Sequence, residues 1–130
     1  MKKSSIRDSL LVIDDNLDLR NLIEAIAETS GVRVLQAGDC HAGLKIVERE
    51  HARLKLILLD YLIPGMDPKK CAEAVVAKAG SDIPVVLITA ACDAPARAAE
   101  LKLNRWLAKP FDLESITELL AAACLVVSFF

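Results

Sequence analysis

Five polar side chains in this 130-residue sequence have the types and order to act together: Asp14, Asp15, Asp60, Thr89 and Lys109. Three carboxylates drawn into one site repel one another unless a cation or a proton intervenes. Mg²⁺ suits such a set, because it prefers oxygen ligands, keeps several waters and is commonly held by one or two carboxylates beside a phosphate. The Lys109 ammonium would supply a point charge for a phosphoryl group, and Thr89 a hydroxyl donor. A carboxylate can itself accept a phosphoryl group, giving an aspartyl phosphate. Each residue also has a plainer reading. Asp14-Asp15-Asn16 could cap a helix N-terminus, Asp60 could be a turn residue, and Lys109 a solvated surface charge. The readings part on whether the chain brings the five together.

The hydrophobic pattern says that it does. Residues 10–13 are continuously apolar, as expected for a strand covered on both faces, and the run ends at Asp14. Leu19, Leu22, Ile23, Ile26 and Ala27 then recur at helical spacing until Gly31 stops them. Residues 32–37 read as a second strand, and Asp39 as the N-cap of a helix carrying Leu44 and Val47. Residues 54–59 form a third strand ending at Asp60, followed by a loop with Pro64, Gly65 and Pro68 and a helix through Ala72, Val75 and Val76. Residues 84–89 make a fourth strand, and 94–103 an Ala-rich helix with Pro95 in its first turn. Residues 105–108 are a short fifth strand, and Asp112 caps a last helix from Leu113. Five β/α units in succession imply an α/β domain, a parallel sheet with helices on both faces. Every candidate polar residue then falls at the carboxyl end of a strand, where open α/β sheets place their ligand crevice. We read residues 1–130 as one domain, without repeat or linker.

Composition narrows the classes. With 54% hydrophobic and 26% charged residues the chain is globular rather than disordered. A net charge of −2 gives no electrostatic case for direct nucleic acid or anionic membrane binding. The four cysteines (Cys40, Cys71, Cys92, Cys124) lie far apart, which speaks against zinc and a disulfide framework and for free thiols in a reducing cytoplasm. The polar N-terminus has no signal-peptide core before Leu10. Residues 119–130 are apolar apart from Ser128, but a bilayer-spanning helix needs about 20 residues. They read as the inner part of a last helix and a sticky tail, ahead of the alternative of a membrane or partner anchor.

Over almost its whole length the chain resembles a two-component response-regulator receiver domain. The resemblance lies in Leu11-Val12-Ile13-Asp14-Asp15, in Leu58-Leu59-Asp60-Tyr61-Leu62-Ile63-Pro64-Gly65-Met66-Asp67, in Val86-Leu87-Ile88-Thr89-Ala90 and in Lys109-Pro110-Phe111, in that order and spacing. It implies a flavodoxin-like fold, a five-stranded parallel sheet of order 2-1-3-4-5. It further implies that Asp60 is the phosphoacceptor in a Mg²⁺-dependent reaction. Asp15 would bind the ion directly, Asp14 directly or through water, with the Leu62 carbonyl as a third protein ligand. Thr89 and Lys109 would contact the phosphoryl group, with backbone N–H groups near Leu62 and Ala90. Ala90 is small enough to leave that group room, and Lys109–Pro110 would be a cis peptide. Thr89 and Trp106 would be the switch pair, the donor a sensor histidine kinase or phosphotransfer protein, and the output a downstream protein or a homodimer through the fourth helix, fifth strand and fifth helix. Such a protein is not a turnover enzyme, but promotes its own aspartyl phosphorylation and dephosphorylation.

Some positions depart from the family pattern. Pro68 stands where glycine is usual, and Leu103-Asn104 replaces a glycine-containing connection, with Asn104 the expected left-handed residue. Trp106 takes a switch position more often held by Tyr or Phe; the plainer reading of it is a half-buried strand aromatic. His41 and His51 read as surface residues of one helix. An apolar end at Phe129-Phe130 leaves open a receiver detached from a larger chain, such as a hybrid kinase or a transcription factor. A haloacid-dehalogenase-type phosphatase would need an Asp where Leu62 stands. A flavin-binding flavodoxin-like protein would need a hydroxyl- and glycine-rich loop where Asp14 and Asp15 stand.

Overall fold

A computed structural model describes residues 7–109 and 112–128. Five strands, β1 (Ser9–Ile13), β2 (Arg33–Ala37), β3 (Leu54–Asp60), β4 (Val85–Ala90) and β5 (Trp106–Lys109), alternate with five helices. The helices are α1 (Leu17–Glu28), α2 (Cys40–Glu50), α3 (Pro68–Ala79), α4 (Ala94–Glu100) and α5 (Leu113–Ser128), with short 3-10 turns before β3, before β4 and before α4. The sheet is parallel throughout, in the order β2-β1-β3-β4-β5, as the resemblance implied.

The continuous apolar runs are explained by two separate cores. Leu11, Ile13, Ile57, Leu59 and Leu87 point to the α2–α3–α4 face. Their neighbours Leu10, Val12, Leu56, Leu58, Val86 and Ile88 point to the opposite face, against Ile23 and Ile26 of α1 and Ile116 and Leu120 of α5. With both faces covered, successive side chains through the middle of β1, β3 and β4 are apolar until the strand reaches the site; Ser9 and Lys55, near the strand starts, are the polar exceptions. The helices start where short polar residues satisfy their free N–H groups: Asn16 for α1, Asp39 for α2, Asp67 for α3 and Asp112 for α5. At Gly43 the backbone of α2 approaches β1 closely, since a Cβ there would lie 2.5 Å from Cδ1 of Ile13.

Several sequence expectations are corrected. The α4 helix ends at Glu100, not at residue 103, and the left-handed residue is Lys102 (φ 61°) rather than Asn104. The Lys102 N–H donates to the Ala99 carbonyl (3.1 Å) and the Leu103 N–H to that of Ala98 (2.9 Å), closing a Schellman turn. Leu103 must re-enter the core beside Ala98, so the reversal falls on the residue before it. Cys40 and Cys71, expected as free thiols, are joined by a disulfide, with Cα atoms 6.1 Å apart. Cys40 begins α2 and Cys71 lies in the first turn of α3, and both are buried in one core, where spacing along the chain says nothing about proximity. His51 is half-buried in the 3-10 turn before β3, its Nε2 2.9 Å from the Ala79 carbonyl oxygen; only His41 is an exposed residue of α2. Among the described residues, no helix is long and apolar enough to cross a membrane.

Candidate functional site

Strand register brings the five polar residues to one level. Ile13, the last residue of β1, pairs with Leu59, so Asp14 leaves its strand beside Asp60. Asp60 pairs with Ile88, which precedes Thr89, and Ala90 pairs with Lys109. The chain leaves β1 toward β2 and returns on the other side to β3, so the loops diverge there and open a crevice. That cleft, of about 720 Å³, is lined by Asp15, Asp60, Leu62, Thr89, Ala90 and Lys109, with Leu19 and Leu22 of α1 on its rim.

The carboxylates of Asp14, Asp15 and Asp60 can bring oxygens within 4.8 Å of one another. Asp14 is fully buried: one oxygen accepts the Asn16 N–H (2.8 Å) and the other accepts from Lys109 Nζ (2.9 Å). Lys109 also reaches Asp60 Oδ1 at 3.3 Å, so one ammonium bridges two carboxylates. Asp15 is exposed to the cleft. Burial, with the Asp14 charge adding to it, pushes the Asp60 carboxyl up to about 6, against the opposing pull of Lys109. Burial pulls the Lys109 ammonium down, but its hydrogen bond to Asp14 and the charge of Asp60 outweigh this and hold it above the usual lysine value. The site is short of positive charge, and its donors are hard oxygens, the set that fits a small divalent cation.

Thr89 is buried at the end of β4, and Ala90 lies open beside it. Leu62 is 70% exposed at the mouth of the cleft. Trp106 is 46% exposed and lines a separate shallow cleft with Val86, Asn104, Arg105 and Leu119. Pro110 lies outside the described residues, and with it the expected cis peptide.

Two features had no signal in the sequence. Tyr61, next to Asp60, places its hydroxyl 3.1 Å from both carboxylate oxygens of Glu100 and accepts from Arg97 (3.1 Å), whose guanidinium lies 4.5 Å from the ring centroid. The chain just after Asp60 is thereby tied to α4. Arg20 in α1 donates to the Asp14 carbonyl at 2.7 Å. Tyr61 lies 36 and 39 residues from its α4 partners and Arg20 only six from Asp14, yet both contacts form only through the tertiary fold.

Comparison with known proteins bears on the family. A family model described as "Response regulator receiver domain" matches residues 10–121. "Sporulation initiation phosphotransferase F" of Bacillus subtilis is 30% identical over 115 residues, 87% of this chain and 90% of that protein. A "Probable transcriptional regulator" of Porphyridium aerugineum is 31% identical over 108 residues, 82% of this chain but 43% of that protein. The chain thus spans less than half the length of several relatives it matches. In fold it is similar to a chemotaxis response regulator of Vibrio cholerae (TM-score 0.73, 22% identity, 88% of this chain and 97% of that one). It is likewise similar to the receiver domain of a hybrid histidine kinase (TM-score 0.71, 23% identity, the same coverage).

Proposed function

This chain belongs to the response regulator receiver domains, signalling proteins of two-component phosphorelays, and from that premise we propose that Asp60 is its phosphoacceptor and that residues 1–130 act as one receiver domain. The observation that carries this reading is the Lys109 ammonium bridging Asp14 (2.9 Å) and Asp60 (3.3 Å) at the carboxyl ends of the strands.

The three carboxylates suit Mg²⁺: Asp15 would bind it directly, Asp14 directly or through water, and Asp60 and the Leu62 carbonyl would complete the protein ligands. When bound, the ion neutralises carboxylate and phosphoryl oxygens together. Asp60 attacks the phosphorus of a phosphohistidine; the P–N bond breaks and its electron pair stays on the imidazole. With its pKa at about 6, Asp60 is mostly ionised near neutral pH and able to attack. Lys109 compensates charge on the phosphoryl oxygens, Thr89 donates its hydroxyl to one of them, and N–H groups near Leu62 and Ala90 face the others. Ala90 leaves the group room, and a cis Lys109–Pro110 peptide belongs to the same reading.

The domain is not a turnover enzyme; it promotes its own aspartyl phosphorylation and dephosphorylation. Occupancy at Asp60 draws Thr89 inward and shifts Trp106 between two existing arrangements. A sensor histidine kinase or phosphotransfer protein is the donor, and the output is a downstream protein or a homodimer through α4, β5 and α5. Neither nucleic acid nor membrane is a direct partner, and the setting is the cytoplasm.

Incubation with a small-molecule phosphoryl donor and Mg²⁺ tests the reading. The mass should rise by one phosphate, and a chelator or Asp60→Asn should prevent the gain. Undiminished labelling of the Asn variant would refute the assignment.

A further inference from the structure

We propose that Arg20 is a positioning residue for the acidic site: it fixes the peptide between Asp14 and Asp15, so that the first carboxylate faces Lys109 and the second faces the cleft. The inference rests on the reading of Asp14, Asp15 and Asp60 as a divalent-cation site.

Asp14 and Asp15 are adjacent, yet one is fully buried and the other exposed. Such a divergence depends on the plane of the peptide that joins them. The Asp14 N–H donates to the Ala37 carbonyl (3.0 Å), which continues the β1–β2 pairing by one residue. Beyond that point the ladder ends, and the Asp14 carbonyl has no strand partner to hold it. Arg20 fills the place, donating from one terminal nitrogen at 2.7 Å. The guanidinium is itself held: its Nε donates to Gln36 Oε1 at 2.9 Å. The Gln36 amide then donates to Glu24 (2.5 Å) and Asn21 (3.2 Å) of α1. The loop at Gly38 lies against the guanidinium, since a Cβ there would stand in van der Waals contact, 3.4 Å from the same nitrogen. A planar fork gripped on two edges sets the direction of its bond to Asp14, which a flexible ammonium cannot do.

Positioning and simple electrostatics act on metal affinity with opposite sign at Arg20. A fixed cation beside three carboxylates repels a divalent ion, so deleting its charge alone would tighten metal binding. A residue that orients ligands does the reverse: losing such support typically weakens metal affinity 10–100-fold.

Calorimetric titration of the full chain with MgCl₂ at constant ionic strength distinguishes the two. Arg20→Met should weaken Mg²⁺ binding by roughly 10–100-fold in protein whose urea unfolding shows it to be folded. Arg20→Lys should remain weakened despite its charge. Gln36→Met, which frees the guanidinium without removing it, should weaken binding less, and should add nothing in the Arg20→Met background. If Arg20→Met does not fold, Gln36→Met carries the test alone. Unchanged or tighter binding by Arg20→Met, or full recovery in Arg20→Lys, would overturn the inference while leaving the metal site standing. A wild-type protein that takes up no Mg²⁺ would overturn both.

Discussion

Replacing Asp60 with Asn should stabilise the metal-free protein, because the fold holds that carboxylate at a cost. Burial and the neighbouring Asp14 raise the Asp60 pKa from its usual 3.8 to about 6, which corresponds to about 3 kcal/mol between its two protonation states. Below about pH 4 the carboxyl is protonated in the folded and the unfolded chain alike, and contributes nothing. Between pH 4 and 6 the unfolded chain ionises first, so the folded state binds more protons and stability falls as pH rises. Above pH 6 the deficit is complete and constant. Asn cannot ionise and escapes it, while Lys109 keeps Asp14 at 2.9 Å and, at the longer 3.3 Å contact, faces a neutral amide oxygen in place of a charged one. At pH 8 in chelator the variant should therefore be more stable by about 1–3 kcal/mol, and the gap should close toward pH 4. Urea unfolding followed by far-ultraviolet circular dichroism at several pH values measures this directly. Saturating Mg²⁺ should narrow the gap at pH 8, since an ion held at one hundred times its dissociation constant adds about 2.7 kcal/mol to the state that binds it. An Asn variant less stable at pH 8, or a gap independent of pH, would refute the reasoning.

Other substitutions probe the frame and the proposed Thr89–Trp106 coupling. Gly43→Ala would drive a methyl into Ile13 and should destabilise the domain by about 1–3 kcal/mol; an equilibrium unfolding curve unchanged from wild type would contradict the close approach. Leu62 is exposed at the cleft mouth and offers nothing to orient a water, so Leu62→Asn should speed loss of phosphate; decay at the same or a slower rate would count against that placement. Trp106, half-exposed at the start of β5, should shift its emission when beryllofluoride and Mg²⁺ bind, and Thr89→Ala should abolish most of the shift while leaving Mg²⁺ binding nearly intact. An unchanged spectrum in protein that has bound beryllofluoride would make Trp106 a packing residue only.

The site was legible in the sequence because its residues occupy positions that strand chemistry marks. Asp14, Asp60 and Thr89 each end an apolar run that both cores require, and such breaks are visible in one dimension. The α/β alternation, Asp39 and Asp112 as caps, and the strand-end placement of Lys109 were legible for the same reason. Strand order came from family resemblance and not from periodicity, since five βα units fit several orders. What stayed hidden depends on geometry across the fold. The Cys40–Cys71 bond joins residues 31 apart, the Tyr61–Arg97–Glu100 cluster joins β3 to α4, and Arg20 meets Asp14 only because α1 docks beside β1 and β2. The left-handed position was misplaced because Asn favours that conformation by composition, whereas the need to bury Leu103 decided it at Lys102.

The central claim is that Asp60 carries the phosphoryl group, and chemical trapping of the acyl phosphate tests it most directly. Borohydride reduces an aspartyl phosphate to homoserine and leaves unmodified carboxylates alone, so peptide mapping after phosphorylation and reduction reads the position of the modification. Homoserine is expected at position 60, dependent on Mg²⁺ and lost in Lys109→Ala or with a chelator. Homoserine at position 14 or 15, or a stable phosphate that borohydride does not touch, would contradict it.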